Sequence, residues 1–251
     1  MIEVVDVFKS FNGEPVLKDV SAKFEKGKVN FIIGRSGSGK SVLTKCIVGL
    51  HPIDRGQILF DGRDFTKMNN LERKAIRQEI GMLFQGGALF DSLTVEENVA
   101  FPLRMFSRSN EKEIAARARF CLERVQLDGA EKKFPAQISG GMQKRVGIAR
   151  AIAMNPRYLF CDEPNSGLDP QTAIVIDNLI KEITYEYDIT TLVVSHDMNS
   201  VMEIGDHINF VNEGRIWWTG TKDEILRTTN RELSDFIYAS DFMKIVKDRL
   251  G

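Results

Sequence analysis

The sequence predicts an α/β fold with a mostly parallel core sheet, and three observations predict it. Short β-rich apolar runs recur at Ile2 to Phe8, Val29 to Ile33, Gln57 to Phe60, Ile80 to Phe84, Tyr158 to Cys161, Thr191 to Val194 and Ile208 to Val211. Several are apolar throughout, as central strands covered on both faces are. Helical stretches separate some of them, and that alternation favours crossover connections.

The first helix is expected from Ser41 to Leu50, directly after a glycine loop. From Glu111 to Leu127, Ile114, Ala118, Cys121, Leu122 and Val125 recur at helical spacing, and no strand-like run appears before Tyr158. Residues 87–137 therefore read as a helical insertion into an α/β core made of residues 1–86 and 138–220. Thr172 to Glu182 reads as a helix carrying apolar residues at Ile174, Ile176, Leu179, Ile180 and Ile183. Trp217 and Trp218 are expected on opposite faces of a strand. Residues 221–251 then form a C-terminal helical extension, with Leu233, Phe236 and Ile237 on one face and Phe242, Met243, Ile245 and Val246 in a second apolar cluster. Such short helices need a surface to bury against, either their own core or a partner chain.

Composition removes several classes. The 251 residues carry 34 Lys+Arg against 35 Asp+Glu, without a basic block, which argues against nucleic acid held by bulk electrostatics. No apolar run approaches the roughly 18–20 residues that span a bilayer. The start Met1 to Asp6 lacks the pattern of a signal peptide. Cys46, Cys121 and Cys161 stand apart, in no metal-ligand spacing, and read as reduced core thiols of a cytoplasmic protein.

Gly34-Arg35-Ser36-Gly37-Ser38-Gly39-Lys40-Ser41 matches G-x-x-x-x-G-K-[ST], between an apolar strand and a helical pattern. Glycines let successive N–H groups turn around phosphate oxygens, and the following helix adds its positive end. Lys40 would reach the β- and γ-phosphates, and the Ser41 hydroxyl would complete a Mg²⁺ shell. An incidental lysine in a surface turn is the alternative, and the flanking elements argue against it. Tyr158 to Cys161 ends in Asp162-Glu163, suited to holding Mg²⁺ through Asp162 and activating water through Glu163. Together these elements point to nucleotide hydrolysis or phosphoryl transfer. Ile138-Ser139-Gly140-Gly141-Met142-Gln143 is a second glycine turn before helix formers. Ser139 suits an N-cap, and such a helix start can also face an anion. Two phosphate cradles serve one nucleotide only if two chains face each other.

With these motifs in this order, the chain resembles the ATP-binding cassette (ABC) ATPases over roughly Ile2 to Gly220. The resemblance implies a P-loop cassette with an added antiparallel β portion. It implies ATP and Mg²⁺ as ligands, and a head-to-tail homodimer with Ser139, Gly140 and Gly141 of one chain against ATP held by the other. It casts Phe11 as the adenine-stacking aromatic, although a core phenylalanine is the alternative. Gly34, Arg35, Ser36, Gly37, Ser38, Gly39, Lys40, Ser41 and Val42 then bind the nucleotide. Gln85 becomes a sensor of Mg²⁺ and water, His196 a γ-phosphate contact, and Ser166 to Asp169 the loop crossing between protomers. His51 and His207 have no such support.

The resemblance also implies an integral membrane permease gripped by the helical insertion. Gly87-Ala88-Leu89-Phe90-Asp91-Ser92-Leu93-Thr94-Val95 with Phe101-Pro102-Leu103, and Met142 where most cassettes have glutamine, are similar to the ATPase of MCE-associated, Mla-like phospholipid transporters. Asn165 departs from the aromatic found there in some members. The Mla-like resemblance implies a place on the cytoplasmic face of the inner membrane and an MCE-domain subunit as a further partner. It also favours exchange of the C-terminal arm between protomers. Import of another solute, such as an amino acid, and a soluble ABC protein acting on ribosomes or chromosomes are the alternatives. The latter usually has two cassettes or a long coiled coil, and neither fits.

Overall fold

The computed structural model describes residues 1–238. In chain order the strands are β1 (Ile2–Phe11), β2 (Glu14–Phe24), β3 (Val29–Ile33), β4 (Arg55–Phe60), β5 (Arg63–Asp64), β6 (Ile80–Leu83), β7 (Tyr158–Asp162), β8 (Thr190–Val194), β9 (His207–Asn212) and β10 (Arg215–Gly220). The helices are α1 (Lys40–Ile47), α2 (Asn70–Gln78), α3 (Val95–Phe106), α4 (Glu111–Arg124), α5 (Gly140–Ile152), α6 (Pro170–Glu186), α7 (Met198–Ile204), α8 (Lys222–Ile225) and α9 (Arg231–Ile237).

The strands form two sheets. An antiparallel sheet runs β2-β1-β4-β5. Its first hairpin closes through Asn12-Gly13, both at positive φ (51° and 84°), the conformation a two-residue turn between twisted strands requires. The second sheet runs β10-β9-β3-β8-β7-β6 and is parallel from β9 to β6, with β10 added antiparallel at its edge.

Alternation along the parallel strands sorts the core onto two faces. Ile32, Tyr158, Phe160, Leu192 and Val194 face the antiparallel sheet and α1, meeting Val4, Leu17, Phe24, Phe60 and Leu43. Phe31, Ile33, Leu159, Cys161, Val193 and Phe210 face the helices, meeting Val99, Leu122, Val146, Ile176 and Ile180. The insertion's helices join this second cluster: α3 and α4 pack on each other and on α5. Capping boxes start both, Thr94 with Glu97 and Asn110 with Glu113. All three thiols are buried, and burial pushes Cys46 and Cys121 up to about 11, so they remain protonated near neutrality.

Two expectations need correction. Trp217 and Trp218 do not divide between faces: a register shift between Ile216 and Trp218 breaks the alternation, and both rings pack on the helix-side cluster. The exchanged arm does not hold for its first half. In α9, Leu233 and Ile237 are buried in the chain's own core, and Phe236 lies against Phe210 with ring centroids 5.6 Å apart. Sheet strand β9 supplies the apolar surface that this short helix needs. Phe242, Met243, Ile245 and Val246 lie outside the described residues. Leu233→Ala is accordingly expected to cost about 2–4 kcal/mol of monomer stability, measured by denaturant unfolding; an unchanged midpoint would mean that α9 is not part of this core.

Candidate nucleotide site

The parallel strands β6, β7, β8 and β3 all point their carboxyl ends to one crevice, the usual ligand position in an open α/β sheet. Four separate chain segments converge there: Gly34 to Val42 after β3, Gln85 after β6, Asp162 and Glu163 at the end of β7, and His196 after β8. Together they line a cavity of about 510 Å³, to which Val16 and Phe236 also contribute.

The loop after β3 is tightly built. Gly34 has φ +148°, and a Cβ there would meet the Val211 carbonyl oxygen at 2.2 Å, so only glycine fits beside β9. Gly39 precedes α1 in a left-handed conformation without a side-chain cap, which leaves the helix's first N–H groups to the cavity. Ser38 Oγ is buried without a hydrogen-bond partner among the described residues. Lys40 Nζ donates to the carbonyls of Gly34 (2.7 Å) and Arg35 (3.0 Å). Burial lowers its pKa, opposed by the charges of Glu163 and Asp162. An anion entering this cavity therefore meets an amide cradle and a largely buried ammonium.

Across the cavity stand the two acids. Burial raises the Asp162 pKa, and the neighbouring Glu163 charge adds to it. A cation beside Asp162 would relieve both effects, and Ser41 and Gln85 supply further oxygen donors on the same cavity wall. This donor set fits Mg²⁺ bound with phosphate. Glu163 sits at φ +47°, a conformation uncommon for a side-chain-bearing residue, and its Oε1 lies 2.9 Å from His196 Nδ1. A carboxylate oriented by a second polar group is the arrangement expected of a general base.

The remaining predicted residues lie elsewhere in the chain. Ser139 caps α5 by accepting from the Met142 N–H at 3.2 Å, and Ser139 and Gly140 are exposed. Ser139 and Gly141 line a separate cavity of about 270 Å³ with Arg145, Gln171 and Thr172. There a Cβ on Gly141 would meet Thr172 Cγ2 at 2.4 Å, so glycine permits α5 to approach α6. Asp169 caps α6, accepting from Gln171 and Thr172, and these hydrogen bonds hold its pKa below the usual carboxylate range. Phe11 is 39% exposed, which excludes the core reading, and its ring meets His51 edge-on.

Sequence reasoning missed the residues that brace this site. Lys144, buried on α5, donates from Nζ to the Gln85 carbonyl and, at 3.3 Å, to that of Glu163. Arg150 holds the carbonyls of Gly87 and Ala88 at 2.7 Å each. Buried Asn98 binds Phe90 through both its N–H and its carbonyl. Lys144 and Arg150 carry no local signal, because their partners lie 19 to 63 residues away along the chain.

The model of the ABC transporter family matches residues 17–166, more than half of the chain and including the loop after β3 and the acids of β7. This chain is an ABC transporter ATP-binding protein. The probable ribonucleotide transport ATP-binding protein mkl of Mycobacterium leprae is 39% identical over 236 residues, covering 94% of this chain and 68% of that protein. The methionine import ATP-binding protein MetN of Campylobacter jejuni is 38% identical over 259 residues, covering 97% and 77%. Among solved structures, a dimeric ABC transporter cassette, MJ0796, superposes with a TM-score of 0.81 at 33% identity over 88% of this chain and 99% of its own. The structure of cbiO1 from Clostridium perfringens, part of the ABC transporter complex cbiONQ, gives a TM-score of 0.85 at 27% identity over 98% of both chains. The ABC cassette thus binds ATP and hydrolyses it in coupling to transport, and cassettes of this family dimerise and partner with membrane permeases. Among the described residues no helix is long and apolar enough to cross a membrane.

Proposed function

We propose that this ATPase drives phospholipid transport between bacterial membranes. In this reading it works as a head-to-tail homodimer on the cytoplasmic face of the inner membrane, beneath a permease and with an MCE-domain subunit as a further partner. The observation that carries the reading is the segment Gly87 to Val95, which the chain presents as a braced apolar surface. Arg150 and Asn98 anchor it, Phe90 is 43% exposed with Phe101 at 4.6 Å, and Met105 and Phe106 extend the exposed patch. Residues 87–137 form the permease-docking unit, residues 1–86 and 138–220 the nucleotide-binding core, and residues 221–251 the extension.

Within the core, the amides of Gly34 to Val42 and the Lys40 ammonium hold the phosphates, and Phe11 stacks on adenine. Ser41, Gln85 and Asp162 hold Mg²⁺, which neutralises phosphate charge when bound. Glu163 takes the proton of the attacking water while His196 keeps its carboxylate aimed into the cavity. Ser139, Gly140 and Gly141 serve the ATP of the partner chain. Asp169 lies on the loop that crosses to the partner, where its own helix cap holds it rigid.

Reconstitution of the complex in vesicles tests the substrate. Phospholipid is expected to move in an ATP-dependent manner, and Glu163→Gln is expected to stop it. The similarity to MetN favours a second reading, import of an amino acid. Movement of an amino acid or a ribonucleotide with no movement of phospholipid would reject the proposal.

A further inference from the structure

Asn165 stands two residues after Glu163 and one before the loop Ser166 to Asp169. The loop opens here onto α6, and Asn165 is half-buried. Its Nδ2 donates to Asp177 Oδ1 on α6 at 2.8 Å and to Ser200 Oγ on α7 at 2.8 Å. Ser200 Oγ donates in turn to Asp197 Oδ2 at 3.3 Å, and Asp197 follows His196 in the chain. Asp197 also caps α7 through the Asn199 N–H and donates its own N–H to Ser195 Oγ at 3.0 Å. Asp177 is 5% exposed and Ser200 1%. The Asn165 Oδ1 is buried without a partner among the described residues, so the position uses the two N–H donors alone. Leaving an acceptor unsatisfied costs about 1–3 kcal/mol, and an apolar residue would avoid that cost.

We propose that Asn165 is a positioning residue, tying the partner-facing loop Ser166 to Asp169 to the turn that carries His196. Three elements meet at its amide: the end of β7 with Glu163, the helix α6 that Asp169 caps, and the turn into α7. A displacement of the loop by a partner chain then pulls on Asp197, and through it on the His196 ring that holds Glu163. The tie gives one chain a route by which the state of its dimer face reaches its own hydrolytic carboxylate. It rests on the reading of Glu163 and His196 as hydrolytic residues.

The test separates the tie from mere packing. In Asn165→Leu alone, the buried Asp177 carboxylate loses one of its hydrogen-bond donors, so instability would confuse the result. The double variant Asn165→Leu/Asp177→Leu removes both partners and keeps the volume filled, which leaves stability nearly unchanged. In the full-length chain with Mg²⁺ and ATP, this variant is expected to unfold at the wild-type midpoint and to keep its KM within about threefold, while kcat falls about tenfold, as loss of positioning does. Wild-type kcat in the folded double variant overturns the tie. If that variant does not fold, Ser200→Ala decides: kcat reduced about threefold or more at unchanged KM supports the tie, and wild-type kcat overturns it. His196→Ala tests the underlying reading separately. Normal turnover there overturns the site assignment, whereas a slow His196→Ala beside a normal double variant overturns the tie alone.

Discussion

Glu163→Gln is expected to lower ATP turnover by about 10²–10⁴-fold, or roughly 3–5 kcal/mol of transition-state stabilisation, while ATP still binds. The substitution keeps the size and a hydrogen-bonding partner for His196 Nδ1, now 2.9 Å from the carboxylate, but removes the group able to accept a proton. It also removes one of two adjacent negative charges, which relieves the repulsion that helps raise the Asp162 pKa. Phosphate and metal binding therefore persist or tighten, and the ATP-bound dimer is expected to accumulate. Single-turnover hydrolysis and size-exclusion chromatography with ATP measure both effects. A wild-type rate in the assembled complex would remove Glu163 from the role of base.

Mixing Lys40→Ala chains with Ser139→Arg chains is expected to restore activity that neither variant has alone. Within one chain, Ser139 and Lys40 line different cavities that share no residue. If Ser139 acts on the partner's ATP, a mixed dimer has one intact site and one that carries both defects. Lys40→Ala removes the only ammonium among the described residues lining the first cavity, and Ser139→Arg places a bulky cation at an exposed helix start. ATPase activity in the mixture, with mixed dimers verified by differential tagging, reads the outcome. Absence of recovery in verified mixed dimers would put Ser139 outside the composite site.

The phosphate loop and the acid pair were legible because their chemistry is local. Gly34 to Ser41 form one loop running from β3 into α1, and Asp162 and Glu163 end one buried strand, so both appear as contiguous strings. Strand β2 was not legible: of its eleven residues only Leu17, Val20 and Phe24 are buried, spaced by threes and fours rather than in alternation. Helix α2 shows a single buried residue, Ile76, and gives no apolar stripe. The tryptophan pair misled because a register shift is a property of the pairing with β9, invisible in Trp217-Trp218 itself.

By itself the sequence determined the parallel α/β core and the glycine loop that follows β3, since apolar runs and glycine spacing are written in neighbouring positions. Only the tertiary structure decided that α9 buries Leu233 in its own core, that Lys144 braces Gln85 and Glu163, and that Asn165 joins Asp177 to Ser200. Each of these contacts joins residues far apart along the chain. Burial and hydrogen bonding at such separations depend on how sheets and helices stack, which no local pattern of residues encodes.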